Sequence, residues 1–338
     1  MMLMMQTMQQ EKGSVLAEVR ARTALRGAHL DPTVPLERAS SVTNEVWLTA
    51  THVVRVNRRP NNRLYRETMV AAALPPSVGY PRVVAHGGGR GEDWLVAERI
   101  VGRPLAHVWP DLTDGQRQSA VEQMAVRLAA IHRTMAPADL PPIEGAPQLL
   151  ELGASDPTAP LLDALQRAAH LDHVDPVLLA EAAEMVRRLA PALAPFEEPT
   201  LVHGDVTFEN MLWHEGEITA LFDVEWARPG PKDLDLDILL RCAAYPQLHV
   251  APAHEARTRP EDYAEVPWWL GKAYPELFEH PGQIDRVRVY SIAYDVRDLL
   301  AAPPTVAPRH LPELHAHHRL ERVVKKRSYI DVLGRVRV

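Results

Sequence analysis

Hydrophobic positions recur along this chain with two different periods, and the change of period divides it. Over Glu11–Gly27, Val15, Leu16, Val19, Ala24 and Leu25 repeat loosely every 3.6 residues, which predicts a helix. Pro32 and Pro35 punctuate the chain after it. Short β-like runs follow at Leu36–Ala39, Val46–Thr49 and Val53–Val56, the first two flanking Ser40–Asn44, a polar loop of hairpin length. Leu64–Leu74 has helical spacing and ends at Pro75-Pro76. Pro81–Ala85 and Trp94–Glu98 read as two further strands, split by the glycine-rich turn Gly87–Gly91. The first hundred residues therefore predict β-β-β-α-β-β, an antiparallel-type sheet carrying one helix.

Beyond that point the period is mostly helical. Asp114–Thr134 places Ala120, Met124, Leu128 and Ile131 on one face. Residues 136–160 are rich in Pro, Gly and Ala and read as an irregular excursion. Pro160–Leu171 and Pro176–Leu193 are predicted helices. Three short β-like runs, Thr200–His203, Met211–His214 and Thr219–Phe222, interrupt the helical pattern. A helix starts at Leu234. Residues 246–282 hold eight prolines or glycines and read as loosely helical, and Val287–Ala301 and Leu311–Val332 as closing helices. The fold class expected is α+β, with a small sheet-bearing lobe at 1–101 and a larger helical lobe at 102–338.

Composition narrows the function. The chain has 338 residues with 46% apolar and 24% charged residues, and a net charge of −7. That is an ordinary globular balance, and it argues against disorder and against a general nucleic-acid binder. The charge is uneven: the first 101 residues sum to +4 and the rest to −11. A single cysteine, Cys242, excludes an intrachain disulfide framework and a cysteine-rich zinc site. Met1–Gln10 lacks the basic and apolar regions of a secretory signal, and no apolar run is long enough to span a membrane. The expectation is a cytoplasmic protein with no membrane or nucleic-acid partner.

The chemistry concentrates in one stretch. Two apolar β-like runs bracket a polar loop with His203, Gly204, Asp205, Glu209 and Asn210, and Asp223 closes the second run. Phosphoryl transfer asks for such a set: one carboxylate to take the acceptor proton, and hard oxygens to hold Mg²⁺ on the phosphates. His203-Gly204-Asp205-x4-Asn210 followed by Asp223 resembles the catalytic segment of the aminoglycoside phosphotransferase-like kinases, small-molecule relatives of the protein kinases.

The resemblance implies a bilobal kinase-like fold that uses ATP (or GTP) and Mg²⁺. It implies Asp205 as catalytic base, Asn210 and Asp223 as magnesium ligands, and His203 as a structural residue. Arg55, in Val53-Val54-Arg55-Val56, stands where the family carries a basic residue for the phosphates, and Glu67 matches the acidic residue that pairs with it. Arginine is a bidentate phosphate partner where lysine is a point charge. Ser40–Asn44, with Ser41 and Asn44, would lie over the nucleotide phosphates. Ala97-Glu98-Arg99-Ile100 resembles the hinge, whose backbone groups at Glu98 and Ile100 would meet the adenine edge. His132, in Leu128–His132, matches a structural position. Asp235 is the match for an aspartate that braces the catalytic loop, with Asp233 two residues away leaving the register open. Only nine residues separate Asp223 from Asp233, too few for a regulatory activation segment. The resemblance spans residues 36–301.

On the acceptor side the candidates are Glu209, Glu225, Trp268, Trp269, Asp295 and Asp298. Tyr294, Asp295 and Asp298 fall near one helix face and suit either a cationic acceptor or solvent. His310, His315, His317 and His318 read as a solvated C-terminal helix. The function expected is phosphorylation of a small-molecule hydroxyl, an antibiotic first, with a metabolic kinase (homoserine, choline, methylthioribose or sugar) or a nucleotide-binding scaffold as alternatives. The partners expected are a nucleoside triphosphate and that acceptor.

Overall fold

The computed structural model describes residues 16–333 except 40, 42, 90, 145–148 and 195–199. Helix α1 (16–27) opens the described chain. Five strands follow: β1 (Glu37–Ala39), β2 (Asn44–Leu48), β3 (His52–Asn57), β4 (Val83–Gly87) and β5 (Trp94–Glu98), with α2 (Arg63–Ala73) between β3 and β4. They form one antiparallel sheet in the order β1-β2-β3-β5-β4.

One face of the sheet is covered by α1, through part of the set the periodicity suggested. Leu16 and Val19 are exposed, and Val15 lies outside the described residues. Ala24 and Leu25, joined by Ala17 and Ala21, pack on Trp47, Val54, Val56 and Val96. Alanines let the helix lie close to the sheet, and Arg20 anchors it by donating to the Asn57 carbonyl at 2.6 Å. On the other side, α2 packs on β4, β5 and the turn Val224–Trp226.

The larger lobe is helical around one apolar core. It starts with the two-residue strand β6 (Arg103–Pro104) and the short helix α3 (Leu105–Val108). Helix α4 (Asp114–His132) is held at its start by a reciprocal Thr113/Gln116 cap and buries Ala120, Met124, Leu128 and Ile131. Residues 159–193 give α5 (Ala159–Ala168) and α6 (Pro176–Leu189). Then come β7 (Leu201–Val202), the hairpin β8 (Met211–His214) and β9 (Glu217–Leu221), and β10 (Arg228–Pro229) paired with β7. The hairpin turns at Glu215-Gly216, both with positive φ, the pairing that two-residue hairpin turns favour. α7 (Asp233–Ala244), α8 (Val266–Ala273) and α9 (Gln283–Ala301) complete the core.

The single closing helix predicted over Leu311–Val332 is two: α10 (Ala316–Val324) and α11 (Ile330–Leu333). Lys326 takes φ 55°, which ends α10, and Asp331 then accepts from the Ser328 N–H at 3.0 Å to restart the chain. Nor is α10 solvated throughout: Ala316, His317, Arg319, Leu320, Val323 and Val324 are buried against α9 and α6. Among the described residues no helix is long and apolar enough to cross a membrane.

Candidate active site

Hairpin geometry assembles the polar cluster. β8 and β9 pair Met211 with Leu221, and the Phe222 N–H donates to the Asn210 carbonyl at 3.0 Å. Asn210 and Asp223 therefore stand at the same open end of the ribbon. Asn210 donates its amide to the Asp205 carbonyl at 2.8 Å, which turns its Oδ1 away from the loop. Asp223 occupies the left-handed region at φ 64°, ψ 53°, uncommon for a residue with a side chain. Its carboxylate accepts from Arg55 Nη2 at 2.8 Å.

The loop before Asn210 is pinned from below. Asp235 is wholly buried and accepts from the His203 N–H at 2.7 Å, the Gly204 N–H at 2.8 Å and His132 Nε2 at 3.0 Å. Gly204 has φ +80°, and a Cβ there would lie 2.4 Å from the Trp226 carbonyl oxygen, so only glycine fits. Burial pushes the His203 imidazole below its ordinary value, and its Nε2 faces the Phe222 carbonyl at 3.1 Å. Burial opposes the charge on Asp235, but the bond from His132, the fields of His132 and His203 and the Gly204 N–H outweigh it and hold the carboxyl below the ordinary range. The register is thereby set by geometry. Asp233, two residues earlier, faces away and is paired with Arg286 on α9.

Asp205 itself is partly exposed on this loop. Its carboxyl is pushed up to about 7 by burial, then by the charges of Asp223 and Glu225. A base poised near neutrality suits proton transfer from a hydroxyl. Asn210 Oδ1 and the Asp223 carboxylate are hard oxygens, the donor type Mg²⁺ takes, so these residues fit that ion.

Above them, the sheet and α2 contribute a charged network. Arg55 Nη1 donates to both Glu67 oxygens at 2.6 and 2.7 Å, and Tyr80 donates to Glu67 at 2.8 Å. Burial works against the Arg55 charge, but Glu67, Asp223 and Glu225 more than offset it and keep the guanidinium protonated. Glu225 was a candidate for the acceptor side; it is instead buried against the sheet lobe, accepting from Asn44 at 2.9 Å, Arg63 at 3.2 Å and Arg55 at 3.4 Å. Asn44 is correspondingly buried on Glu225 rather than arched over an open cleft. Sequence reading missed Arg63, whose guanidinium also lies 4.9 Å from the Trp226 ring centroid. Its only signal was position, one helical turn before Glu67. Ser41 uses its carbonyl to accept from Arg58 at 3.0 Å. At the supposed hinge, Glu98 pairs with Arg82 at the surface and its N–H donates to the Arg82 carbonyl, so that N–H is spent inside the sheet. Ile100 follows just beyond β5.

Several acceptor-side candidates are engaged elsewhere. Asp295 is fully buried between Arg241 at 2.6 Å and Arg319 at 2.8 Å. Asp298 is paired with Arg297 at 3.0 Å and Arg319 at 2.6 Å. Asp295 is closed off from a cationic acceptor, and Asp298, about a third exposed, already carries two arginines, because α9 turns this face towards α7 and α10. Near Asp205, α9 presents a cationic stack: the Tyr294 ring has Arg241 at 4.0 Å and Arg297 at 3.9 Å, and the Arg297 charge pulls on Asp205. Trp268 is partly exposed under Lys272, and Trp269 packs against the core from α8. Glu209 remains beside the loop, accepting from His107 Nε2 at 3.0 Å and the Ala251 N–H at 2.7 Å.

A small antiparallel sheet above a helical lobe, with the polar loop between, defines a bilobal kinase-like α+β fold. Solved structures share it. One is a thermostable mutant of aminoglycoside phosphotransferase APH(4)-Ia, in a ternary complex with ADP and hygromycin B. It has TM-score 0.55 and 16% identity over 90% of this chain and 97% of that one. Another is a choline/ethanolamine kinase family protein from Mesorhizobium loti, with TM-score 0.55 and 19% identity over 90% and 93%. The sequence profile of the phosphotransferase enzyme family matches residues 35–269, more than half of the chain, and the chain belongs to that family. The aminoglycoside 3'-phosphotransferase of Streptomyces fradiae is 28% identical over 201 residues, which is 59% of this chain and 64% of that relative's length.

Proposed function

We propose that this chain is an ATP- or GTP-dependent O-phosphotransferase acting on a hydroxyl of a small molecule, with an aminoglycoside-type antibiotic as the first acceptor class. The observation that carries the reading is the gathering of Asp205, Asn210 and Asp223 at one end of the β8–β9 hairpin, opposite the Arg55–Glu67 pair. In this reading residues 1–101 hold the nucleotide, and 102–338 carry the base and the acceptor.

Arg55 holds the nucleotide phosphates while Glu67 fixes its guanidinium. Asp205 takes the proton as the acceptor O–H bond breaks. The freed oxygen bonds to the γ-phosphorus, and the bond from that phosphorus to the β–γ bridging oxygen breaks, so the nucleoside diphosphate leaves with the electron pair. Asp235 keeps the His203–Asp205 backbone in place through this step. Mg²⁺ held by Asn210 and Asp223 would supply charge neutralisation on the phosphates.

The antibiotic acceptor rests on the Streptomyces fradiae relative and on the hygromycin B complex of the neighbouring structure. A metabolic acceptor is the second reading, favoured by the choline/ethanolamine kinase neighbour. The test is incubation with γ-labelled ATP and a panel of aminoglycosides, other antibiotics and amino alcohols, with product masses recorded. A phosphorylated aminoglycoside is expected. Turnover of amino alcohols alone moves the function to the second reading, and label on no acceptor rejects both.

A further inference from the structure

Helix α10 carries an arrangement that phosphoryl transfer does not use. His317 is only 4% exposed, yet among the described residues neither of its ring nitrogens has a hydrogen-bond partner. Buried polar groups are ordinarily satisfied, so this imidazole asks for a ligand. Two side chains on the same helix reach the same place. One ligand atom each from His317, His318 and Glu321 lie within 4.8 Å of one another, and His318 Nδ1 is 3.8 Å from Glu321 Oε2. The His317 and His318 rings stand 5.6 Å apart and nearly perpendicular.

We propose that His317, His318 and Glu321 form a binding site for a divalent transition metal of the zinc class. Two neutral imidazoles and a carboxylate are a borderline-soft donor set that favours zinc over magnesium. A two-histidine, one-glutamate set leaves a fourth position open to water. Metal bonds of about 2.0–2.2 Å need the donors somewhat closer together than they stand here. Rotation of His318 and Glu321 supplies that, since both are partly exposed. A surface cleft of about 410 Å³ reaches two of the three donors, lined by Glu313, His318, Glu321, Arg322, Lys325 and Arg327. Of the three cations that line it, Arg322 is paired with Glu313 at 2.9 Å and Lys325 with Glu181 at 2.8 Å. Asp175, at the start of α6, adds negative field at His317. His315 is occupied, its Nδ1 accepting from the His317 N–H at 3.2 Å.

The site has a structural consequence. Arg319, two residues on from His317, reaches Asp295 and Asp298 of α9. An ion clamping the first two turns of α10 therefore steadies its packing on α9.

The test uses the full chain, dialysed against a chelator, in buffer with Mg²⁺ in excess to fill the oxygen-only site. Zinc is titrated calorimetrically, and melting is followed with and without one equivalent. The wild type is expected to bind one Zn²⁺ and to melt several degrees higher with it. The double variant His318→Asn/Glu321→Gln, which alters only partly exposed side chains, is expected to lose both effects while keeping the metal-free melting temperature. Equal zinc binding by wild type and double variant, or none by the wild type, overturns the proposal.

Discussion

Replacing Asp235 with asparagine tests how the catalytic loop is held. The carboxylate accepts three hydrogen bonds in a buried pocket, from the His203 N–H, the Gly204 N–H and His132 Nε2. An asparagine in the same pose keeps one acceptor oxygen and turns an NH₂ donor towards the other donors. At least one buried N–H is then unpaired, at about 1–3 kcal/mol, and a buried charge-assisted pair is broken. Asp235→Asn should therefore lower the unfolding free energy by about 3–5 kcal/mol. Urea unfolding at pH 7 measures this. The carboxyl lies below its ordinary value in the folded chain, so its stabilisation is fully present above about pH 4 and is lost as pH falls through the folded value. The difference between wild type and variant should shrink on acidification. Because Gly204 and Asp205 are placed by this anchor, kcat should also fall by about 10²-fold with nucleotide affinity kept. A loss under about 1 kcal/mol with unchanged kcat would refute the bracing role.

Asp205, raised to about 7, binds its proton more tightly in the folded chain than in the unfolded one, so its ionisation costs stability as pH rises from about 4 to 7. Asp205→Asn should be more stable than wild type by about 1–2 kcal/mol at pH 8, allowing for solvent access to the carboxyl, and level with it near pH 4 in urea melts. Wild-type kcat/KM should rise through about pH 7, moving to lower pH as Mg²⁺ is added. Asp295→Asn should destabilise the chain by about 3–5 kcal/mol by removing the buried charge that Arg241 and Arg319 share, with the acceptor KM unchanged below the melting transition. A raised KM without loss of stability would return Asp295 to the acceptor site.

The catalytic loop was legible because its chemistry is local: His203, Asp205 and Asn210 fall within eight residues, and apolar runs on both sides announce the hairpin. The sheet was legible for a similar reason, since Val53, Val54 and Val56 around Arg55 mark a buried strand. Partnerships across distance were not legible. Asp233, Asp235 and Asp237 are three alternate aspartates on one helix, and only the packed fold decides that they face Arg286, the catalytic loop and Tyr329 respectively. Asp295 and Asp298 looked like a polar face because their arginine partners come from α7, α10 and their own helix. Ala24 and Leu25 of the buried face of α1 were legible, while Ala17 and Ala21 were not, because alanine carries little hydrophobic signal. Glu225 lies near Asp223 in sequence and so suggested the acceptor side; Asn44 and Arg63 draw it towards the sheet.

The most direct test of the central claim is single-turnover transfer from γ-labelled ATP to the acceptor that the panel identifies, comparing wild type with Asp205→Asn under saturating nucleotide. The wild type should move the label to a hydroxyl oxygen of the acceptor. The variant should bind nucleotide with unchanged affinity and transfer label at least about 10²-fold more slowly. Transfer by the variant at a near-wild-type rate would contradict the assignment of Asp205 as the base, and the account of the site with it.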